Sequence, residues 1–194
     1  YVNDKVIKVT GGGYGFKGDF YFNKEKINPK EFIKLLKIGV LCNDAKIANK
    51  SVIGDPTEGS LVVSAAKAGL IKGDLDKNNK RLGEIEFNSE RKRMSTYHNI
   101  NNKKTVYCKG APDVILNLCN RIYKNGKVER LTSKEKQKIL EKNEEFAKQA
   151  LRVLGFAYNE SNKLEEKDMV FVGLQAMIDP AREEAKEAIA RCKK

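Results

Sequence analysis

The spacing of apolar residues changes part-way along this chain, and that change constrains the fold more than any other feature. After Pro29 the apolar positions Phe32, Leu35, Leu36, Val40 and Leu41 recur at helical intervals. A second helix is predicted from Asp55-Pro56, with Leu61, Val62, Ala65, Ala66 and Leu70 on one face and Gly69 near its end. Proline suits the first turn of both, where its missing N–H costs nothing. The period then shortens. Leu82, Ile85 and Phe87 lead into Met94–Ile100, a turn at 99–102, and Thr105–Lys109, which reads as an antiparallel hairpin. Further on, Pro112–Cys119 is predicted as a short helix and Ser133–Leu151 as a long one. Val153–Tyr158 and Met169–Ile178 read as apolar strands, and Tyr1–Thr10 alternates like a strand as far as Gly11-Gly12-Gly13. Helices and hairpins are interspersed without regular strand–helix alternation. The expectation is an α+β fold, a mainly antiparallel twisted sheet flanked by helices and hairpins.

Composition limits what such a fold can do. The 194 residues are 40% hydrophobic and 33% charged, enough for one packed domain and far from a disordered chain. The apolar runs are much shorter than the ~20 residues of a spanning helix, and no signal-peptide pattern opens the chain. The amphipathic pattern from Pro180 continues to the last residue without a stop signal, so the chain reads as a fragment of something longer. A net charge of +12 suits a polyanionic partner, or it is lysine-rich solubility. Cys42, Cys108, Cys119 and Cys192 form no C-x-x-C pair, and the single histidine, His98, is remote from them; zinc is disfavoured. The first three sit among apolar neighbours, as small buried thiols in a reducing compartment do.

Several familiar chemistries are missing. No G-x-x-x-x-G-K-[ST] loop is present. The cluster Gly11-Gly12-Gly13-Tyr14-Gly15 lacks the lysine and hydroxyl such a loop needs and reads better as a flexible turn. His98, alone among strand residues, is expected to face solvent or a neighbouring strand, and no Ser/His/Asp or Cys/His set can be assembled around it.

Six segments, in order, carry a specific signal: Leu41-Cys42-Asn43-Asp44; Gly54-Asp55-Pro56-Thr57-Glu58; Phe87-Asn88-Ser89-Glu90-Arg91-Lys92-Arg93-Met94-Ser95; Lys109-Gly110-Ala111-Pro112-Asp113; Leu151-Arg152-Val153-Leu154; and Asp179-Pro180-Ala181-Arg182. In this order they resemble the nucleotide-binding domain of P-type ATPases of the calcium-pump kind. The resemblance implies that residues 1–178 are the nucleotide-binding domain. It also implies that 179–194 are the hinge and the start of the phosphorylation domain.

The resemblance further implies a site that holds ATP without a phosphate loop. Phe87 would stack on adenine, although from the residues alone it is either an exposed platform or core. Lys109 would line the bottom of the adenine pocket, and Gly110 would let the base approach; as one of 38 Lys and Arg, Lys109 otherwise reads as a solvated face residue. Glu58, beside Thr57, would accept from the adenine amino group, or else complement the helix dipole. Lys92 and Arg152 would meet phosphates and Leu154 would wall the base. Muscle-type calcium pumps carry arginine two residues after the phenylalanine; Ser89 stands here, so that phosphate contact is lost or passes to Arg91. Asp113 and Ala181 are milder departures.

The family's phosphorylated aspartate, in Asp-Lys-Thr-Gly-Thr, does not occur in this sequence. The chain is therefore expected to bind ATP, with Mg²⁺ accompanying it in the intact pump, and to be inactive alone. Its partners would be ATP and the phosphorylation, actuator and membrane domains of an integral membrane pump, to which it would contribute a cytoplasmic domain. The competing reading is a basic nucleic-acid-binding domain, from the Lys/Arg clusters at 91–93 and 103–104. Aromatic residues do not interleave with those clusters as a stacking platform requires. A protein-interaction domain without a ligand is a third reading.

Overall fold

The computed structural model describes residues 1–13, 15–48 and 51–178. In chain order the elements are β1 (Lys8–Val9), β2 (Phe20–Phe22), β3 (Glu25–Ile27), a 3₁₀ turn (Pro29–Phe32), α1 (Ile33–Leu41), β4 (Lys46–Ala48), β5 (Ser51–Ile53), α2 (Pro56–Lys67) and α3 (Lys72–Asn78). They continue with β6 (Arg81–Asn88), β7 (Arg93–Ile100), β8 (Lys103–Gly110), α4 (Pro112–Asn117), β9 (Cys119–Lys124), β10 (Lys127–Arg130), α5 (Ser133–Lys148), β11 (Arg152–Glu160) and β12 (Met169–Met177).

Seven strands form the main sheet in the order β10-β9-β12-β11-β8-β7-β6. Every pairing in it is antiparallel except β12 with β9. Both faces are covered. Met94, Tyr107, Phe156, Tyr158, Val170 and Val172 join α1 and α2 in one core. Val106, Cys108, Ala157, Phe171 and Leu174 join α4 and α5 in the other. Successive strand residues point to opposite faces, so a strand covered on both sides is apolar throughout, as Val106-Tyr107-Cys108 is. The predicted α+β sheet flanked by helices is the architecture found.

Local chemistry sets the ends of these elements. Asp55 caps α2, its Oδ1 accepting the N–H groups of Thr57 at 2.8 Å and Glu58 at 3.2 Å. The β7–β8 hairpin turns on Asn101 and Asn102, both at positive φ, the backbone of a two-residue loop that matches strand twist.

Three expectations need correction, and the choice left open at His98 is decided for the neighbouring strands. Tyr1–Thr10 is mostly not a strand: only Lys8 and Val9 pair with β2, and the three valines share no face, Val2 being buried in the core while Val6 and Val9 are exposed. The helix from Pro112 ends at Asn117, and Cys119 opens β9 instead. The long helix ends at Lys148, and Ala150 turns the chain at φ 56°. His98 is not solvent-facing; it lies 1% exposed in β7, with Nδ1 beside the Asn79 carbonyl and Nε2 beside the Thr96 hydroxyl. The segment Asp179-Pro180-Ala181-Arg182 lies outside the described residues. Among the described residues, no helix is long and apolar enough to cross a membrane.

Candidate functional site

The first turn of α2 presents Thr57 and Glu58 toward the ends of β8 and β11. Lys109 comes from β8, on the face that carries Tyr107, and pairs across the sheet with Met94 on one side and Phe156 on the other. Its ammonium donates to Glu58 Oε1 at 2.5 Å and to the Cys42 carbonyl at 2.5 Å. The other carboxylate oxygen of Glu58 accepts the Asp44 N–H at 3.0 Å. Asn43, which is buried, ties the same corner together by donating to the Gly39 and Glu58 carbonyls. Lys109 is 6% exposed, so the solvated-face reading of this lysine fails. A strand lysine can sit that deep because a carboxylate and a carbonyl meet its charge.

Arg152, the first residue of β11, donates to Thr57 Oγ1 at 2.6 Å. Every second residue along β11 shares that face, and burial deepens along it: Arg152 exposed, Leu154 half-buried, Phe156 fully buried. Leu154 packs against the core cluster of α1 and α2. Thr57, Glu58, Lys109, Arg152 and Leu154 are thus gathered into one patch by α2, β8 and β11. Electrostatics hold its edge: partial burial opposes the Asp55 charge, but the Thr57 and Glu58 donors and nearby Arg152 outweigh it and keep the carboxyl below its usual range.

Phe87 stands at the end of β6 and is 64% exposed. Ile85 pairs with Ser95 and Asn88 with Arg93, so Glu86 and Phe87 together oppose the single residue Met94. That bulge bends the edge strand just where the aromatic ring projects. Met94 in turn pairs with Lys109, which sets Phe87 two strands, about 10 Å, from the lysine's backbone. Lys92 lies in the β6–β7 turn at φ 52°, exposed, with its carbonyl accepting the Ala111 N–H at 2.9 Å. The core alternative for Phe87 is excluded.

Two residues of the expected site have partners within the chain itself. A Cβ at Gly110 would meet the Lys92 carbonyl oxygen at 2.4 Å and Arg93 Cβ at 2.6 Å. The close approach that requires glycine there is made by the chain's own turn. Arg91, the candidate to take over the contact missing at Ser89, is paired: its Nη2 lies 2.5 Å from both oxygens of Glu166, which also accepts from Arg93 Nε and Ser95 Oγ. Sequence reasoning gave no role to Asn43, Asp44 or Glu166. The first two lay in a quoted motif; nothing local marks Glu166. Among the described residues no cluster of three or more His, Cys, Asp or Glu could hold a metal ion.

Residues 31–184 match the family described as P-type ATPase, cytoplasmic domain N. The chain belongs to that family. It is 43% identical over 168 residues to the Calcium-transporting ATPase 1 of Lactococcus lactis subsp. lactis (strain IL1403), covering 82% of this chain and 19% of that protein. It is 40% identical over 187 residues to the Calcium-transporting ATPase 1 of Bacillus cereus (strain ATCC 10987 / NRS 248), covering 92% and 21%. Against the Calcium-transporting ATPase type 2C member 1 of Bos taurus it is 30% identical over 190 residues, covering 94% and 19%. The chain spans about a fifth of the length of these curated relatives. The patch of Thr57, Glu58, Lys109, Arg152 and Leu154, and the exposed Phe87, therefore lie within the matched part of an N domain.

Proposed function

We propose that this N domain binds ATP for a calcium-transporting pump, stacking adenine on Phe87 and presenting the γ-phosphate to an aspartate on another domain. The observation that carries the reading is the exposed Phe87 ring at the edge of a sheet whose neighbouring strands hold Lys109 against Glu58. An aromatic ring left in water at a bulge is poor core and a good base platform.

Each residue has a separable task. Lys109 has three N–H donors. Two are engaged by Glu58 and Cys42, which leaves one for a ligand. Each Glu58 oxygen carries two lone pairs, so acceptor capacity for an adenine amino group remains beside Lys109 and Asp44. Leu154 walls the base, and Lys92, Arg152 and Thr57 meet the phosphates. Mg²⁺ would travel with the triphosphate, as it does when one or two carboxylates and phosphate oxygens share its shell. The acceptor aspartate of the parent pump would attack the γ-phosphorus, releasing ADP and forming an aspartyl-phosphate. This chain's part is to bind and aim. The pump's remaining domains and its membrane location follow from the same reading.

Nucleic-acid binding is less well supported, because Arg91 and Arg93 of the basic cluster at 91–93 are already paired with Glu166. Calorimetric titration with ATP, GTP and a single-stranded oligonucleotide at two salt concentrations tests the choice. A stacked base and a few exposed cations give an ATP dissociation constant on the order of 0.1–1 mM. GTP should bind more weakly, and oligonucleotide binding should collapse with salt. Equal affinity for ATP and GTP, or salt-resistant oligonucleotide binding, would overturn the reading.

A further inference from the structure

Glu166 lies in the connection between β11 and β12, which are adjacent antiparallel strands. Such strands can be joined by a two-residue loop. Residues 161–166 instead cross the neighbouring hairpin, and Lys167 returns to β11, its carbonyl accepting from Asn159 Nδ2 at 3.1 Å. The Ser161 N–H donates to the Lys104 carbonyl of β8 at 3.1 Å, and the Tyr97 hydroxyl of β7 donates to the Ser161 carbonyl at 3.2 Å. Leu164 then lies beside Gly83 of β6, 3.8 Å from where a Cβ would stand. The connection ends its excursion at the β6–β7 turn, where Glu166 meets Arg91, Arg93 and Ser95.

The carboxylate there is nearly enclosed, 8% exposed. Arg91 Nη2 contacts both oxygens at 2.5 Å, Arg93 Nε contacts Oε2 at 2.7 Å and Ser95 Oγ contacts Oε1 at 2.7 Å. Charge-assisted, forked bonds of this kind fix geometry as well as adding energy. What they fix is a turn with an unusual backbone. Asn88 Oδ1 accepts the N–H groups of Glu90 and Arg91, Lys92 N–H returns to the Asn88 carbonyl, and Lys92 itself sits at positive φ. Ala111, just past the end of β8, grips the turn through the Lys92 carbonyl, and Glu166 grips it through two arginines. Phe87 immediately precedes Asn88, and Lys92 follows within the turn.

We propose that Glu166 is a positioning residue for nucleotide binding: it clamps the β6–β7 turn so that Phe87 and Lys92 stand where base and phosphates meet them. The proposal rests on the nucleotide-binding reading above. Glu166 touches no nucleotide in this scheme, and it withdraws Arg91 and Arg93 from the phosphates.

The test uses Glu166→Ala, Glu166→Gln, Phe87→Ala and the double variant Phe87→Ala/Glu166→Ala, each measured for melting temperature, ATP and adenosine affinity, and ¹⁵N relaxation of amides 89–92. Glu166→Ala should weaken ATP binding about tenfold in protein that is still folded, with faster motion confined to 89–92. Glu166→Gln, which keeps the shape without the charge, should weaken it less. In the Phe87→Ala background, adding Glu166→Ala should cost adenosine no further affinity, because the platform it positions is gone. Unchanged ATP affinity in folded Glu166→Ala, tighter ATP binding through released arginines, or additive losses for adenosine in the double variant would each overturn the proposal. Should Phe87→Ala alone leave ATP affinity intact, the nucleotide-site reading falls instead, whatever Glu166 does.

Discussion

The Lys109 ammonium lies 2.5 Å from a carboxylate oxygen of Glu58, and neither side chain is more than 15% exposed. The pair joins the middle of the sheet to the first turn of α2. A residue of the proposed site is thereby also a structural one, and on that proposal binding and stability are coupled at this position.

Lys109→Ala should accordingly lower stability by about 3 kcal/mol, the cost of leaving one member of a buried pair uncompensated. Urea denaturation of the variant, alongside Glu58→Ala and the double variant, checks this. The two single losses should sum to more than the double. A midpoint unchanged by Lys109→Ala would mean that the lysine swings out into solvent.

Phe87→Ala should behave in the opposite way. With the ring 64% exposed, the fold should lose only about 0.5 kcal/mol, while ATP binding should lose about 1–3 kcal/mol of stacking. Paired melting and calorimetric measurements decide it. A large drop in melting temperature with intact ATP affinity would return the ring to the core.

Acid should release the Glu166 clamp. Burial resists the Glu166 charge, but hydrogen bonds from Arg91, Ser95 and Arg93 prevail and hold its carboxyl below the usual range; Cys108, also nearby, stays neutral because burial pushes its thiol up. A folded-state pKa below the unfolded value of about 4.3 stabilises the fold above that pH. The contribution is lost as pH falls through the lower folded value. Stability of the wild type should therefore fall more steeply below about pH 4 than that of Glu166→Gln, in denaturant titrations at stepped pH. Parallel curves would show that the carboxylate contributes nothing to the acid limb.

Cys42, Cys108 and Cys119 should resist thiol reagents in the native state. All three are buried, and burial pushes their thiols up, Cys119 to about 12. Few thiolates are then available to react. Iodoacetamide labelling followed by peptide mass spectrometry should find these positions modified only after urea is added. Rapid native labelling of any of them would contradict the packing.

The helices after Pro29 and at Asp55-Pro56 were legible because period and proline agree there, and α2 has the Asp55 cap besides. So was the hairpin over 94–109, where two strand-favouring runs flank an Asn-Asn turn. The β9–β10 hairpin was missed although Asn125-Gly126, both at positive φ, is a strong two-residue turn signal. The short helix α3 has no such marker, since Lys72–Asn78 carries one apolar side chain. At the site, exposure of Phe87 could not be decided from composition, because the bulge that projects it depends on register with β7. Burial of Lys109 was invisible for a similar reason: its compensating partners come from Glu58 and Cys42, far away along the chain.

Those distances have a kinetic meaning. Lys109 reaches partners 67 and 51 positions away, and Arg152 one 95 positions away. Loops of that length close late, after most of the entropy of the chain has been surrendered. A nucleotide would find no half-made pocket on the way to the native state. It would leave the rate of folding nearly untouched and slow unfolding, because only the finished protein offers it somewhere to sit.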